Sequence, residues 1–210
     1  MVLFACAVRP AALELHPDVR MSNSRGELEV RAFMACTRGD LEQVCCGRGT
    51  REHESLLVTD APASAVQAGL IAIGLQAGRP GAWSVGASGA LELQAPAGDP
   101  VELRVRWSEG GAAREAPIGA WIEDRRPAAG ELAFVFAGSR FVDTPARQRF
   151  AADLSGSVVG LVTFGDEVIA PSQVEPDRVD VAAPRWRARS AALPPEGTPV
   201  TLVIRRSVAP

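Results

Sequence analysis

Cysteine, histidine and carboxylate side chains serve as metal ligands, nucleophiles and proton carriers, and this chain concentrates them in one short stretch. The chain has four cysteines and two histidines. Three of the cysteines (Cys36, Cys45 and Cys46) and one histidine (His53) lie close together in the sequence. Residues 45–55 are therefore the first place to look for chemistry.

A metal site is one interpretation of this stretch. Cys36, Cys46 and His53 would supply three ligands, and Glu54 or Cys45 would supply the fourth. Zinc binds thiolate, imidazole and carboxylate groups in tetrahedral geometry, and iron is a second candidate. The stretch lacks the Cys-x-x-Cys pair that is typical of zinc ribbons, so neither metal is favoured as a cofactor.

Two other interpretations of the cysteines need no metal. A disulfide could join Cys36 to Cys46 or Cys45 across a predicted hairpin, which is the expected state outside the cytosol. Alternatively, the thiols are free and buried, and they pack as small apolar side chains.

A catalytic interpretation makes Cys46 a nucleophile and His53 its base, with Glu52 or Glu54 orienting the imidazole ring. The spacing does not show that these side chains converge, and the chain has no Gly-x-Ser-x-Gly sequence that would offer a serine nucleophile. We therefore favour a structural role for His53, which would tie a turn to a sheet, and we assign no catalytic residues.

The charged residues argue against several functional classes. The formal net charge is -3, and basic residues are scattered among acidic ones, so we predict no nucleic-acid partner. Every basic side chain apart from the histidines is an arginine. The absence of lysine removes Schiff-base catalysis and the phosphate-binding lysine of a P-loop.

The N-terminal residues bear on the compartment. No apolar run is long enough to cross a bilayer, so no transmembrane segment is predicted. Residues 3–6 look like the end of a lipoprotein signal, with a lipid anchor at Cys6 if the true start lies upstream. We expect an extracytoplasmic protein on this interpretation. The alternative is a cytoplasmic protein whose residues 1–14 form a short apolar arm.

The elements that must position these residues are mostly strands. Residues 27–33 and 101–107 alternate polar and apolar side chains, which is typical of half-buried strands. Residues 41–46 are predicted to return as the hairpin partner of the first strand, and residues 54–59 form a third strand. Residues 83–100 are predicted to be a loop.

One segment has the features of a helix. Residues 62–76 begin after a start signal, contain no charge and end in a glycine and proline sequence. The predicted fold class is α+β, in which a strand-rich antiparallel or mixed sheet carries this one main buried helix. Residues 15–210 are expected to form a single domain, and residues 1–14 an N-terminal arm or signal remnant.

Several motifs spread along residues 15–205 together resemble a known family. They include Cys36-Thr37-Arg38-Gly39, Gly49-Thr50-Arg51-Glu52-His53-Glu54-Ser55, Val105-Arg106-Trp107, Phe134-Val135-Phe136-Ala137-Gly138-Ser139 and Pro194-Pro195-Glu196-Gly197-Thr198. The chain resembles the YdjY-type domain of planctomycete exported and lipoprotein-like proteins. It departs from the family at Phe134, where members usually have tryptophan. The resemblance implies export and one continuous fold, and it implies no established reaction.

The sequence therefore predicts a non-enzymatic binding or structural module that is exported or lipid-anchored. The alternative is a metal-binding or thiol-dependent protein that uses Cys36, Cys46, His53 and Glu54. If the protein is a binding module, its four tryptophans are candidates for lining a ligand groove.

Overall fold

The structure is a computed structural model that describes residues 14–22, 25–86, 89–127, 130–177 and 180–207. Cys6, the predicted lipid anchor, lies outside these residues. The strands, in chain order, are β1 Glu14–His16, β2 Val19–Ser22, β3 Glu27–Met34, β4 Asp40–Leu41, β5 Gln43–Gly47, β6 Ser55–Thr59, β7 Ala82–Val85, β8 Leu91–Gln94, β9 Pro100–Glu109, β10 Ala112–Pro117, β11 Ile122–Asp124, β12 Phe134–Phe136, β13 Phe141–Asp143, β14 Gln148–Phe150, β15 Ser157–Gly160, β16 Ile169–Pro171, β17 Trp186–Ala188 and β18 Pro199–Arg206. The α-helices are α1 Ala63–Ala72 and α2 Ala151–Ser155.

Eight of the strands close into a barrel. Their order around the barrel is β3, β18, β9, β12, β16, β15, β5 and β6, and β6 pairs back with β3. β3 makes this closure possible because one of its edges pairs with β2 near Glu27 and with β6 near Met34. β1 and β2 extend the sheet beyond β3, and β10 extends it beside β9.

The barrel interior is built by the alternation that the sequence shows. Leu28, Val30 and Ala32 of β3 are fully buried, and the charged residues between them face outward. Val105 on β9 and Leu202 on β18 continue the same apolar layer. This strand face excludes water because every second side chain points inward.

Two pairs of barrel strands run parallel although short connections join them. β5 and β6 are parallel, and residues 48–54 join them, here called the first crossover. β15 and β16 are parallel, and residues 161–168 join them, here called the second crossover. Parallel neighbours usually need a connection of a dozen or more residues, often a helix. Both crossovers therefore depend on tight turns.

The predicted α+β class is wrong. Strands make up 44% of the structure and helices 14%, and the sheet is a closed barrel. The expected helix over residues 62–76 exists only as α1, because the chain turns at Gly74 with φ +90°. The barrel escapes prediction because strands of three or four residues are too short to show alternation. Such strands pair with partners that are distant in the sequence.

Two local predictions also need correction. β5 is not the hairpin partner of β3, because it pairs in parallel with β6 and antiparallel with β15. The expected loop over residues 83–100 contains the β7–β8 hairpin. The sequence does not predict this hairpin because no residue of β7 is buried.

Candidate functional site

The segment that is richest in cysteine, histidine and glutamate forms the end of β5 and the first crossover. The crossover reverses the chain at Gly49, whose φ is +78°. The backbone N–H of Gly49 donates to Glu52 Oε1 at 2.6 Å, and the Thr50 hydroxyl donates to the Gly47 carbonyl at 2.6 Å. A short 3₁₀ helix, Glu52–Glu54, then leads into β6. These bonds hold the tight turn that a short parallel connection requires.

The three described cysteines are free thiols in different surroundings. Cys45 and Cys46 are fully buried in β5, whereas Cys36 is half-buried and donates to the Arg38 carbonyl at 2.8 Å. Burial raises the pKa of both the Cys45 and the Cys46 thiol. A buried thiol with a raised pKa is a weak nucleophile, because the thiolate is the reactive form. The structure therefore gives no support to the interpretation of Cys46 as a nucleophile.

His53 lies on the surface, with a side chain that is 78% exposed. Its Nε2 is 3.5 Å from Glu54 Oε2, and Arg51 Nη1 is 3.7 Å from Glu54 Oε1. No group of three or more histidine, cysteine or acidic side chains is placed to hold a metal ion within the described parts of the chain. Of the four predicted ligands, only His53 and Glu54 are seen in contact. The metal site at Cys36, Cys46, His53 and Glu54 stays a prediction.

The second characteristic motif holds the other crossover in place. The Gly138 N–H donates to the Val168 carbonyl at 2.9 Å, and the Ser139 N–H donates to the Glu167 carbonyl at 3.1 Å. The Ser139 hydroxyl donates to the Asp166 carbonyl. Ser139 adopts φ +52°, a backbone conformation that is uncommon outside glycine. The Gly-Ser pair therefore has a structural role as a clamp on the second crossover.

Two buried polar side chains belong to the strands and the crossover around this clamp. Glu167 and Gln43 are both fully buried. Gln43 is opposite Gly160 in the β5–β15 pairing, and a Cβ on Gly160 would lie 3.5 Å from Glu167 Cγ.

The hydrogen bonding of Glu167 and Gln43 is incomplete. Glu167 Oε2 accepts the N–H groups of Gly165 and Asp166, whereas Glu167 Oε1 and both polar atoms of the Gln43 side chain have no hydrogen-bond partner among the described residues. Burial raises the pKa of Glu167 to about 7. The carboxyl group is therefore partly protonated near neutral pH.

The largest depression of those described lies elsewhere, on the outside of the sheet. It is an open groove of about 660 Å³, against about 200 Å³ for the depressions beside α1 and β2. This groove, here called the arginine groove, crosses β3, β18, β9 and β10. The residues that line it include Arg31, Arg106, Trp107, Arg114, Glu115 and Thr201.

The centre of the arginine groove is electrically neutralised. Arg106 bonds Glu29 at 2.6 Å, Glu27 at 2.8 Å and Glu115 at 2.6 Å. Glu115 also pairs with Arg104. Hydrogen bonds from Arg106 and Arg104 lower the pKa of Glu115, which stays ionised. These partners satisfy Arg106, so it serves as the floor of the groove.

Two other arginines of the groove are more available. The side chain of Arg31 is 63% exposed and contacts Asp18 at 3.3 Å. The side chain of Arg114 is 56% exposed and contacts Glu109 at 3.3 Å. Ion pairs this exposed contribute little free energy, because water competes for both partners. Neither guanidinium group is therefore strongly held by its partner. Arg31 shares the outer face with Arg106, whereas Arg114 opposes Trp107 and projects from the other face at the β10 edge.

The tryptophans have unequal roles. Trp107 lines the arginine groove and packs edge-on against the buried Trp121, with ring centroids 5.0 Å apart. Trp186 is buried, and Trp83 is 37% exposed on β7. The tryptophans are the groove candidates that the sequence offers, and its pattern does not single out the arginines. The outward positions of Arg104 and Arg106 between apolar residues of β9 were the available signal.

The comparisons bear on the family. A family model, the YdjY domain, matches residues 23–205. This chain belongs to the YdjY domain family. The match confirms the resemblance and covers both crossovers and the arginine groove. Searches of curated proteins and of solved structures found no match.

The family assignment leaves the biochemical role open, because the YdjY domain has no established function. None of the described helices combines the length and apolarity that a membrane span requires.

Proposed function

We propose that this YdjY domain is a non-enzymatic binding module whose anionic ligand lies in the arginine groove. The observation that carries the proposal is the exposed, weakly paired guanidinium group of Arg31 along a groove of about 660 Å³, with Arg114 exposed at the β10 border of that groove. Arginine binds carboxylates and phosphates with paired, charge-assisted hydrogen bonds.

The lining of the groove favours binding over catalysis. No cysteine or histidine lines it in the described part of the chain. Its one carboxylate, Glu115, is held by Arg104 and Arg106. A general base must be free to take a proton, and a nucleophile needs such a base beside it.

Acetylated and amidated hexaglutamate is a suitable probe, with binding measured by calorimetry at low salt. The Arg31→Ala/Arg114→Ala double variant should bind the probe roughly tenfold more weakly, because two charge-assisted contacts are lost. The Arg147→Ala/Arg149→Ala variant is the matched control. It removes the same charge from exposed positions that do not line the groove.

The two variants separate a site from a general charge effect. Equal weakening in both would mean that net charge alone drives binding, and it would contradict the proposal. Hexaglutamate binding that is unchanged in the Arg31/Arg114 variant would contradict it as well.

Export is a separate part of the proposal. The resemblance to exported and lipoprotein-like proteins supports an extracytoplasmic location, with lipidation at Cys6 as the means of anchoring. Cell fractionation followed by mass analysis of the N-terminal peptide tests this, and an unmodified protein in the cytoplasmic fraction would contradict it.

A further inference from the structure

The β9–β10 hairpin forms one wall of the arginine groove, and its turn determines which backbone groups are free. Gly110 and Gly111 have φ +57° and φ +82°, and they join Glu109 directly to Ala112. Positive φ at both central residues is the mark of a two-residue type I′ turn. In such a hairpin the two residues that flank the turn form a hydrogen-bonded pair. Farther along the strands, non-hydrogen-bonded and hydrogen-bonded pairs then alternate.

This alternation leaves two residues of β10 with outward-facing backbone groups. The Glu109–Ala112 pair is the first hydrogen-bonded pair of the ladder. The backbone groups of Arg114 and Ala116 also bond β9, because these residues oppose Trp107 and Val105 in the next two hydrogen-bonded pairs. The N–H and C=O groups of Ala113 and Glu115 therefore point away from β9. No described strand pairs with that edge of β10.

The side chains of this edge leave room for another strand. Ala112 and Ala113 are exposed and small, and Ala116 is half-buried. Pro117 has no N–H to offer, which restricts an open ladder to the residues before it. Natural proteins usually cover or charge an edge of this kind.

Charge decides what kind of strand fits. Glu115 is neutralised by Arg104 and Arg106, whereas Arg114 is exposed and only weakly paired. The available charge along the edge is therefore positive. A strand that carries carboxylates next to Arg114 is favoured, and opposite charges on neighbouring strands stabilise a sheet.

A second copy of this chain is a poorer occupant. A twofold axis relating two antiparallel strands places a residue opposite its own copy. The two registers that use most of β10 are centred on Arg114 or on Glu115. Either one sets like charges directly opposite each other, which destabilises the pairing.

We infer that the ligand of the arginine groove is an acidic peptide segment in extended conformation, which adds to the free edge of β10 as an extra strand. This inference rests on the proposed function and specifies its ligand class. The outward N–H and C=O groups of Ala113 and Glu115 would bond the peptide backbone, and Arg114 would select its carboxylates.

The test uses an acetylated and amidated hexapeptide of alternating threonine and glutamate. Two isomers carry N-methyl groups, one on the glutamate amides and the other on the threonine amides. Both keep every charge. Only one edge of an added strand faces β10, so one isomer should bind like the parent peptide. The other should bind at least roughly tenfold more weakly, because two backbone hydrogen bonds are lost.

Two protein variants accompany the peptides. Ala113→Pro removes one outward N–H and leaves the β9 ladder intact, so it should weaken the parent peptide severalfold. Arg114→Gln should weaken both the parent peptide and hexaglutamate, whereas the exposed control Arg147→Gln should change neither. The peptide isomers need no protein variant, so the test does not depend on how Ala113→Pro folds.

The outcomes distinguish this inference from the proposed function. Equal binding of both isomers, with dependence on Arg114, would overturn strand addition and leave the groove as an anion site. Absence of binding by any acidic probe would overturn both. Dimerisation of the free protein that Ala113→Pro abolishes would overturn the acidic peptide in favour of a second copy.

Discussion

At the scale of single residues, Glu167 is a carboxyl group that the fold removes from water. Its side chain is fully buried, and its pKa is raised to about 7 by burial. In the unfolded chain the carboxyl group ionises near pH 4.5, so between pH 4.5 and 7 the folded state binds more protons than the unfolded state. The free energy of unfolding must then fall as pH rises through this window, by about 3 kcal/mol.

Replacing Glu167 with Gln should remove this contribution. Urea unfolding should show that the free energy of unfolding of the wild type falls by about 3 kcal/mol more from pH 5 to pH 8 than that of the Glu167→Gln variant. Glu123→Gln, at an exposed position, is the control. The same pH dependence in wild type and Glu167→Gln would show that Glu167 is ionised in the folded protein at low pH.

The thiols make a second prediction at this scale. Cys36 is half-buried and Cys46 is fully buried. In the native protein, Cys36→Ser should therefore remove one thiol that reacts quickly with a thiol reagent. Cys46→Ser should remove none. Cys6 contributes equally to both variants.

Metal analysis of the same samples tests the predicted metal site. Zinc or iron that is bound to the wild type and lost in both Cys36→Ser and His53→Ala would establish that site. It would also make the thiol-dependent alternative the better account of function.

At the scale of elements, the two crossovers explain why the characteristic motifs contain glycine, serine and threonine. Gly156, at the end of α2, bonds Gly47 through its carbonyl at 2.8 Å and packs against Thr50 of the first crossover. Its φ is +78°, and an added Cβ would lie 2.7 Å from Thr50 Cβ. Both backbone strain and a steric clash oppose any larger residue here.

Gly156→Ala should therefore lower the free energy of unfolding by about 2–4 kcal/mol, the sum of left-handed strain and overpacking. Gly197→Ala is the matched control, because φ is +80° there and no atom lies within 4 Å of the added Cβ. It should cost only about 1–2 kcal/mol from strain alone. Urea denaturation of both variants measures the difference, and equal losses would show that the contact with Thr50 carries no weight.

Prediction from the sequence succeeded where an element is long enough to show its period. Residues 27–33 and 101–107 alternate clearly, and both segments are strands. The crossovers could not be predicted, because a parallel partner such as β6 for β5 follows from barrel closure and not from local pattern. The arginine groove is beyond local pattern for the same reason. Arg31 and Arg106 are far apart in the sequence and face each other only across β18.

At the scale of the whole molecule, the barrel separates structural chemistry from the surface that is available for binding. The cysteine and histidine stretch belongs to a crossover that completes the barrel wall. The outer face of β3, β18, β9 and β10 holds a layer of arginine and glutamate pairs, with Arg31 left weakly paired. Arg114 is exposed at the edge that β10 forms. This distribution is why we assign binding to the arginine groove and structure to the segment that first suggests chemistry.

Hydrogen exchange of the amide groups, with and without saturating hexaglutamate, tests this central claim most directly. The account predicts slower exchange on binding in residues 104–116 and 199–202, which border the groove, and no change in residues 45–55. Protection confined to residues 45–55 would contradict it and would return the search for function to Cys36, Cys46, His53 and Glu54.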